Sequence, residues 1–475
     1  MREKALSKKK DDKADNSSTG EESTDDSVKL GGNDLGAQEQ IDPNHWVVHG
    51  KKFDLREFVN KHPGGAHAIG FGRGRDCTWL VESYHPYSDK VWQVLRKYQV
   101  EEEELEEAWP PKDPFYEDLK KVVREEFPNG GKDAKGTWRV RALQVIGTAV
   151  KAALLYRMYT EGCFISALVA GGMFTIVNAR MIHEGSHQSL TTSPFLNRII
   201  SLAYGPPVMC VSTWEMQHVI SHHQYTNWLP DELHKFQLTD IDACQYDFLC
   251  YLSRNLNVST ATWTAIMAAL VPFSFIYSPF IVGPIYAFQL LKHQAIFSGD
   301  VCKVKSHSSV SPDAMVCLLS HVIQISYLSY YFGLTGIALY LTYMFGVGAV
   351  FVTFSQISHI PCMVEKWRPQ AKNFQSWAAG QCEHSMNFAL GSEIAFYISF
   401  GLNYQVEHHL FPGISHDHYP RLAPKFEKVC QKHGVHYWTE PSLLKSMWML
   451  FQAVIDIKER EPADFIVEEM KPKKA

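Results

Sequence analysis

Three groups of histidine carry most of the chemistry that this sequence offers. They are His183-Glu184-Gly185-Ser186-His187, His218-Val219-Ile220-Ser221-His222-His223, and Gln405-Val406-Glu407-His408-His409. On an α-helix, residues i and i+4 share a face. His183 is therefore expected beside His187, and His218 beside His222. His223 and His409 extend their groups to a neighbouring face, which suits two metal ions better than one. Seven imidazoles and the Gln405 amide exceed the four ligands of a single zinc. Imidazole suits iron, copper, nickel and zinc alike. The solitary His234, His293, His307 and His321 read as structural or interfacial.

The first group also fits H-E-x-x-H, the signature of a zinc protease in which Glu184 would be the general base. That reading leaves the other two groups without a role. A carboxylate-rich di-iron site needs two E-x-x-H repeats on bundle helices. Only Glu215–His218 supplies one in this half of the chain.

A second constellation lies upstream. His62-Pro63-Gly64-Gly65 is followed 23 residues later by His85. Two histidines from opposing helices can ligate one haem iron axially. Such an iron carries electrons and has no open position for substrate. Around this pair, residues 45–54 read as strand, tight turn, strand. A short helix then leads into His62, and helical patterning runs through His85 to about residue 100. Trp46 and Ser83-Tyr84-His85-Pro86 fall in register, so the segment resembles the cytochrome b5 domain and implies haem b held by His62 and His85. His45, His49 and His67 are expected to be solvated bystanders.

The elements that must position these groups follow from composition. The chain has 475 residues, room for roughly three domains. It is 45% hydrophobic and 20% charged, with mean hydropathy -0.19 and net charge -5. These averages hide an uneven distribution. Residues 314–364 and 255–291 contain no Asp, Glu, Lys or Arg, and a membrane helix needs only about 20 such residues. No basic stripe points to nucleic acid. Ten cysteines without a C-x-x-C pair indicate neither a zinc ribbon nor a disulfide framework.

A shared metal site requires all three groups on one membrane face. Residues 199–214 are too short to span. Residues 314–364 supply two crossings joined near residues 333–336. Pro272, Pro279 and Pro284 favour an interfacial or re-entrant element within 255–291. With residues 142–157 plus flanks and 162–179, about four spanning helices result. Only helices or closed barrels span a bilayer. The expected fold is an α-helical membrane bundle with cytosolic caps, preceded by a small α+β b5-like domain. The expected layout is a tail over 1–40, the haem domain over 41–105, a linker with an amphipathic helix over 106–141, the membrane domain over 142–450, and a tail over 451–475.

The spacing H-x-x-x-H, H-x-x-x-H-H and Q-x-x-H-H, joined to an N-terminal b5 domain, resembles the front-end fatty acyl desaturases over residues 42–450. Gln224-Tyr225-Thr226-Asn227 after the second box and Leu410-Phe411-Pro412 after the third strengthen the match. Gln405 in place of histidine is typical of that branch. The resemblance implies that His183, His187, His218, His222, His223, Gln405, His408 and His409 bind two irons. It implies a water-mediated iron contact from Asn387, at the end of the pattern 381–387. His359 is a weaker candidate behind the ligands. His384 stands where a small hydroxyl residue is expected, and His416 and His418 are expected at the surface.

The implied reaction uses O₂ and two electrons to place a cis double bond between the carboxyl end and an existing double bond. The electrons would come through the b5 haem from an NADH-cytochrome b5 reductase, because this chain shows no Rossmann glycine fingerprint. Substrate would be a membrane lipid or acyl-CoA with a C18–C22 polyunsaturated chain. Gln217-His218-Val219, Glu383 and residues 432–437 lean towards Δ5, with Δ4, Δ6 and Δ8 open. A b5-fused sphingolipid long-chain-base desaturase is the runner-up, ahead of a lipid hydroxylase. The C-terminal Lys471-Pro472-Lys473-Lys474-Ala475 resembles a K-x-K-x-x retrieval signal. The expected location is the endoplasmic reticulum membrane, multi-pass, with the catalytic face and both termini cytosolic.

Overall fold

The computed structural model describes residues 41–100, 109–206, 208–227, 240–241, 256, 258–298, 302–306, 308, 311–363 and 376–456. The 1–40 tail, His234, His307 and the C-terminal retrieval-like motif lie outside the described residues.

The haem-domain expectation is matched by a two-stranded antiparallel hairpin, Trp46–Val48 against Lys51–Phe53, and helices Gly65–Gly70, Thr78–Tyr84 and Lys90–Leu95. Trp46, Val48 and Phe53 are buried at its centre. His49 and His67 differ from expectation. His49 Nε2 lies 2.8 Å from the Glu82 carboxylate, and His67 Nε2 lies 2.9 Å from Glu215. A carboxylate removed from water needs a partner, and these imidazoles supply it.

The helix Pro114–Glu126 begins as its sequence dictates. Asp113 accepts a hydrogen bond from the Phe115 N–H, and Pro114 occupies the first turn, where no donor is missed. Its apolar stripe of Phe115, Leu119 and Val123 shares a core with Phe426 and Cys430 of the helix Tyr419–His433.

Four described segments are long and apolar enough to cross a membrane: Phe164–Ser186, Thr260–His293, Pro312–Phe332 and Leu334–Gln356. The helix Trp138–Glu161 is as long but carries Arg139, Arg141, Lys151, Arg157 and Glu161. It pairs with the helix Phe164–Met173 through a turn at Gly162, which packs on Phe332 and Leu339. The turns of the two hairpins, at Gly162 and Gly333, therefore adjoin. Between the hairpins, Gly171 lies against Tyr343 and Gly346, and Gly348 lies against the Phe275 backbone of the segment Thr260–His293. Small residues allow this close backbone approach, which is how helices associate in lipid.

The proline-bearing segment Thr260–His293 turns back, as its prolines suggest. Trp263 and Met267 sit with Met363, beyond the end of Leu334–Gln356. Phe280 reaches Tyr340 deep in the bundle, with ring centroids 6.0 Å apart. A π-helical turn at Ile281–Ile285 follows, and Ala287 and Leu290 then pack with Ala314 and Cys317 at the start of Pro312–Phe332. Both ends of the segment thus lie at the same end of the antiparallel hairpin. Pro279 and Pro284 remove backbone donors where the path reverses.

Outward-facing Ile165, Val322, Ile323 and Leu334 give the bundle an apolar surface. Tyr330 and Tyr331 lie near one end and Trp138 at the other, as in the aromatic belts of membrane proteins. The C-terminal tail boundary shifts. The helix Leu443–Ile455 runs through residue 450, exposing Leu444 and Trp448 on one side while burying Ser446, Met449 and Ala453. Two features were not expected from sequence: the hairpin Ala295–Ser298/Cys302–Lys305 and the short parallel pair Asn387–Phe388/Thr439–Glu440.

Candidate functional site: two histidine clusters and a haem cavity

The described residues bring the three histidine boxes together at one buried point and divide them into two clusters. His183, His187, His218, His223 and His408 form the first, and His222, His359 and His409 the second. Within each cluster the ligand atoms lie within 4.8 Å of one another.

The division differs from the expected i, i+4 pairing in the second box. His218 pairs with His223, their Nε2 atoms 3.0 Å apart, and His222 belongs to the other cluster. The reason is local. Glu215–His222 is π-helical, so its backbone is bonded i to i+5 and the face-sharing interval widens. The first box lies at the end of the α-helical turn Arg180–Ser186 and keeps the i, i+4 pairing of His183 and His187. In the third box, on the helix Gln405–Leu410, consecutive His408 and His409 diverge to opposite clusters.

The ring nitrogens are arranged for cations. In the second cluster each imidazole spends Nδ1 on an outer acceptor. His222 donates to Asp240 at 2.9 Å, His409 to Gln381 Oε1 at 3.0 Å, and His359 to the His384 carbonyl at 2.9 Å. Their Nε2 atoms are thereby the ones available for a metal, the arrangement that orients metal-bound imidazoles. Gln405 stands between His359 and His409, its amide 2.8 and 3.2 Å from their Nε2 atoms.

In the first cluster His183 and His218 present Nε2 atoms to each other at 2.8 Å. Three converging neutral imidazoles cannot all satisfy one another with protons. His187 Nε2 and His408 Nε2 are buried without a hydrogen-bond partner among the described residues. Buried nitrogens of this kind call for an explanation, and a metal ion fits. The donor set is nitrogen with one amide, so it fits iron and excludes hard, oxygen-seeking cations.

Several residues depart from expectation. His416 is buried, not exposed. Its Nδ1 donates to the Phe400 carbonyl at 2.8 Å, and its ring lies 5.0 Å from that of His183. His418 is likewise buried, with Nε2 donating to the Lys135 carbonyl at 3.0 Å. Asn387, for which a water-mediated iron contact is expected, has its side chain engaged by the third-box helix and Tyr437. Its amide donates to Glu407 at 3.0 Å, and its oxygen accepts from the Val406 N–H, so it holds the third-box helix. Glu407 also accepts from Tyr437, and burial pushes its carboxyl up to about 7. Glu184 accepts from Arg180 at 3.2 Å and Ser415 at 3.1 Å. It is committed to that pairing, which removes the base that a protease would need.

Sequence reasoning missed Asp240 and Gln381. Gln381 opens the pattern whose Glu383, His384 and Asn387 drew attention, while Gln381 itself did not. Asp240 carries no motif and is found only because the fold returns it to His222. Asp240→Asn is expected to weaken iron binding about tenfold, a typical cost of losing such an outer partner. Metal analysis after dialysis against a graded chelator measures it.

A narrow cavity of about 80 Å³ meets both clusters, lined by Trp214, Gln217, Tyr277, Phe351 and Gln356 beside His183, His222 and Gln405. Part of its wall, Ser274 to Val282, comes from the re-entrant segment.

The haem pair also fits its group. The rings of His62 and His85 face each other with centroids 6.1 Å apart. Nδ1 of His62 donates to the Gly65 carbonyl at 3.2 Å, and Nδ1 of His85 to the Val81 carbonyl at 2.8 Å. Both Nε2 atoms are left for an axial metal. Burial and the neighbouring His85 lower the His62 pKa to about 4, keeping it in the neutral, ligating form. A cavity of about 750 Å³ surrounds them, lined by Leu55, Phe58, Ile69 and Leu80. That volume is typical of a cofactor site.

Comparison with known proteins agrees with this geometry. The fatty acid desaturase family model matches residues 162–441, and the cytochrome b5-like haem/steroid binding domain matches residues 34–102. An acyl-lipid omega-13 desaturase of Chlamydomonas reinhardtii is 26% identical over 462 residues, covering 87% of this chain and 93% of the relative. A probable Delta(5) fatty acid desaturase C of Dictyostelium discoideum is 25% identical, covering 85% and 89%. An acyl-lipid (8-3)-desaturase B of the same organism is 24% identical, covering 84% and 88%. With the desaturase match spanning more than half of the chain and the b5 match preceding it, this protein belongs to the cytochrome b5-fused, front-end branch of the fatty acid desaturases, membrane oxidoreductases that act on lipids.

Proposed function

We propose that this enzyme inserts a cis double bond between the carboxyl end and an existing double bond of a C18–C22 polyunsaturated acyl chain. The observation that carries this reading is the pair of buried, nitrogen-rich clusters that meet at a small cavity beside apolar, membrane-length helices. His183, His187, His218, His223 and His408 would hold one iron, and His222, His409 and Gln405 the second. His359, whose ring adjoins His222 and His409, is positioned to join the second set. Two irons bound there would supply, with O₂, an oxidant strong enough for an unactivated methylene.

The chain's own residues place the substrate. Trp214, Tyr277 and Phe351 line the cavity beside the clusters, and they would hold one carbon pair near the metals and keep bulk water out. Electrons would pass through haem held by His62 and His85, supplied by NADH-cytochrome b5 reductase. We place the enzyme in the endoplasmic reticulum membrane with the clusters and both termini on the cytosolic side.

Relatives named Delta(5) fatty acid desaturase support a lean to Δ5, while others are named omega-13, (8-3)- and (7-3)-desaturases, so Δ4, Δ6 and Δ8 stay open. Yeast expressing the chain and fed C18, C20 and C22 polyunsaturated acids should form a new acid with an added double bond on the carboxyl side. Mass spectrometry of the lipids locates that bond, and His408→Ala should abolish it. No new fatty acid from any feed, with haem and iron present, would transfer the proposal to sphingoid bases.

A further inference from the structure

The haem domain is pinned to the metal-binding part of the chain by side chains next to the redox groups. Trp79 stacks on Trp377 with centroids 5.0 Å apart and planes within 6°. His67 meets Glu215, which also receives Arg198 at 2.7 Å. Lys120 of the helix Pro114–Glu126, which packs on Tyr419–His433, binds Glu82 at 2.5 Å in a buried pair. The fourth contact differs in kind: the Tyr84 hydroxyl lies 2.5 Å from His187 Nδ1.

Tyr84 precedes His85, whose ring faces His62 across the haem cavity. His187 belongs to the first histidine cluster. Tyr84 and His187 both line the haem cavity. Between the imidazole that would carry haem and the imidazole that would carry iron, the path is covalent except for one hydrogen bond. The Tyr84 and His187 rings lie nearly parallel, 26° apart.

We propose that Tyr84 is the bridge between the two redox sites: it orients His187 for the metal and couples it electronically to the haem of the same chain. The proposal rests on the reading that this chain's own haem is the electron donor. With Nε2 of His187 facing the cluster, Nδ1 carries the proton and donates it to the Tyr84 oxygen. An outer acceptor of this kind fixes the tautomer and ring orientation of a metal-bound histidine. Tyr84 also lines the haem cavity itself, so its hydroxyl joins that cavity to His187 by a single hydrogen bond.

The step balances without chemistry on the tyrosine. Haem held by His62 and His85 would supply one electron per transfer to metal held by the histidine clusters, and Tyr84 would return unchanged. Two transfers, O₂, two protons from solvent and two hydrogens from adjacent carbons give one double bond and two waters. Tyr84 is a positioning residue, since it acts through His187 and touches no substrate.

The test uses the full-length protein loaded with haem and iron. The haem is reduced without oxygen, then mixed with O₂ and a C20 polyunsaturated acyl-CoA, and its reoxidation is followed by absorbance. In parallel, double-bond formation is measured with electrons from the reductase and with electrons from reduced methyl viologen. In Tyr84→Phe, haem reoxidation and the ratio of reductase-driven to dye-driven turnover should each fall about tenfold, the scale of losing an outer ligand partner. Tyr84→Gln, whose amide oxygen can accept the same hydrogen bond, should recover part of both. The ratio removes any loss of iron common to the two electron sources. If Tyr84→Phe does not hold haem, Tyr84→Gln decides on the same ratio. A reoxidation rate and ratio indistinguishable from wild type, in a chain that needs its haem, would overturn the bridge alone. A His85→Ala chain that desaturates at the full reductase-driven rate without haem would overturn the donor reading and the bridge with it.

Discussion

Alanine at His218 is expected to remove desaturation while leaving the haem spectrum intact. His218 is the hub of the first cluster. Its Nε2 lies 2.8 Å from that of His183 and 3.0 Å from that of His223, and its ring stacks on Trp214 at 4.3 Å. Removing it deletes a nitrogen from the middle of the donor set and leaves the flanking imidazoles without a common centre. The loss should exceed the ~100-fold seen when only an outer partner is removed. The haem pair lies in a separate cavity, so its absorbance should not change. Iron per chain and product per chain, measured on one preparation, check this. A His218→Ala protein with full iron and normal product would remove the first cluster from the reaction. The fold should survive, because apart from Trp214 the rings packed on His218 are the other box histidines.

The second large effect is expected from His62→Ala. His62 and His85 face each other on opposite walls of the cavity, each anchored through Nδ1 to a backbone carbonyl. Loss of either would leave one imidazole where two would hold the haem. Purified His62→Ala should therefore lack the haem band, and reductase-driven desaturation should fall to background. Reduced dye should restore part of the product, because it bypasses the haem domain. Gly64 sits close against the His62 ring, so a glycine-to-larger change there would disturb the same ligand and is a poorer probe. Retained reductase-driven product without haem would show that electrons enter elsewhere.

Much of the site was legible from residue types and spacing. Imidazole groups at short intervals point to metal binding, and the His62 and His85 spacing fits the haem implied by the b5-like domain. The reversal of the proline-bearing segment was also readable, because proline cannot donate the backbone hydrogen bond that a straight helix needs. So was the amphipathic helix Pro114–Glu126, with its Asp-Pro start and apolar stripe.

What the sequence could not decide was which histidine shares a centre with which. That depended on a π-helical turn at Glu215–His222, which exchanges His222 for His223 at one cluster, and no residue pattern declares such a turn. It also depended on long-range returns. Asp240 reaches His222, Gln381 reaches His409, and His416 packs on His183 only after the chain has folded back. Burial of His416 and His418 was invisible for the same reason, since their neighbours in sequence are polar. The contact of Tyr84 with His187 joins residues 103 positions apart. The sequence alone determined the ligand types, the two redox groups and the membrane bundle, because each is written in local composition. The tertiary structure alone decided how the ligands are shared and where the haem domain meets the metal site, because those depend on contacts between distant segments.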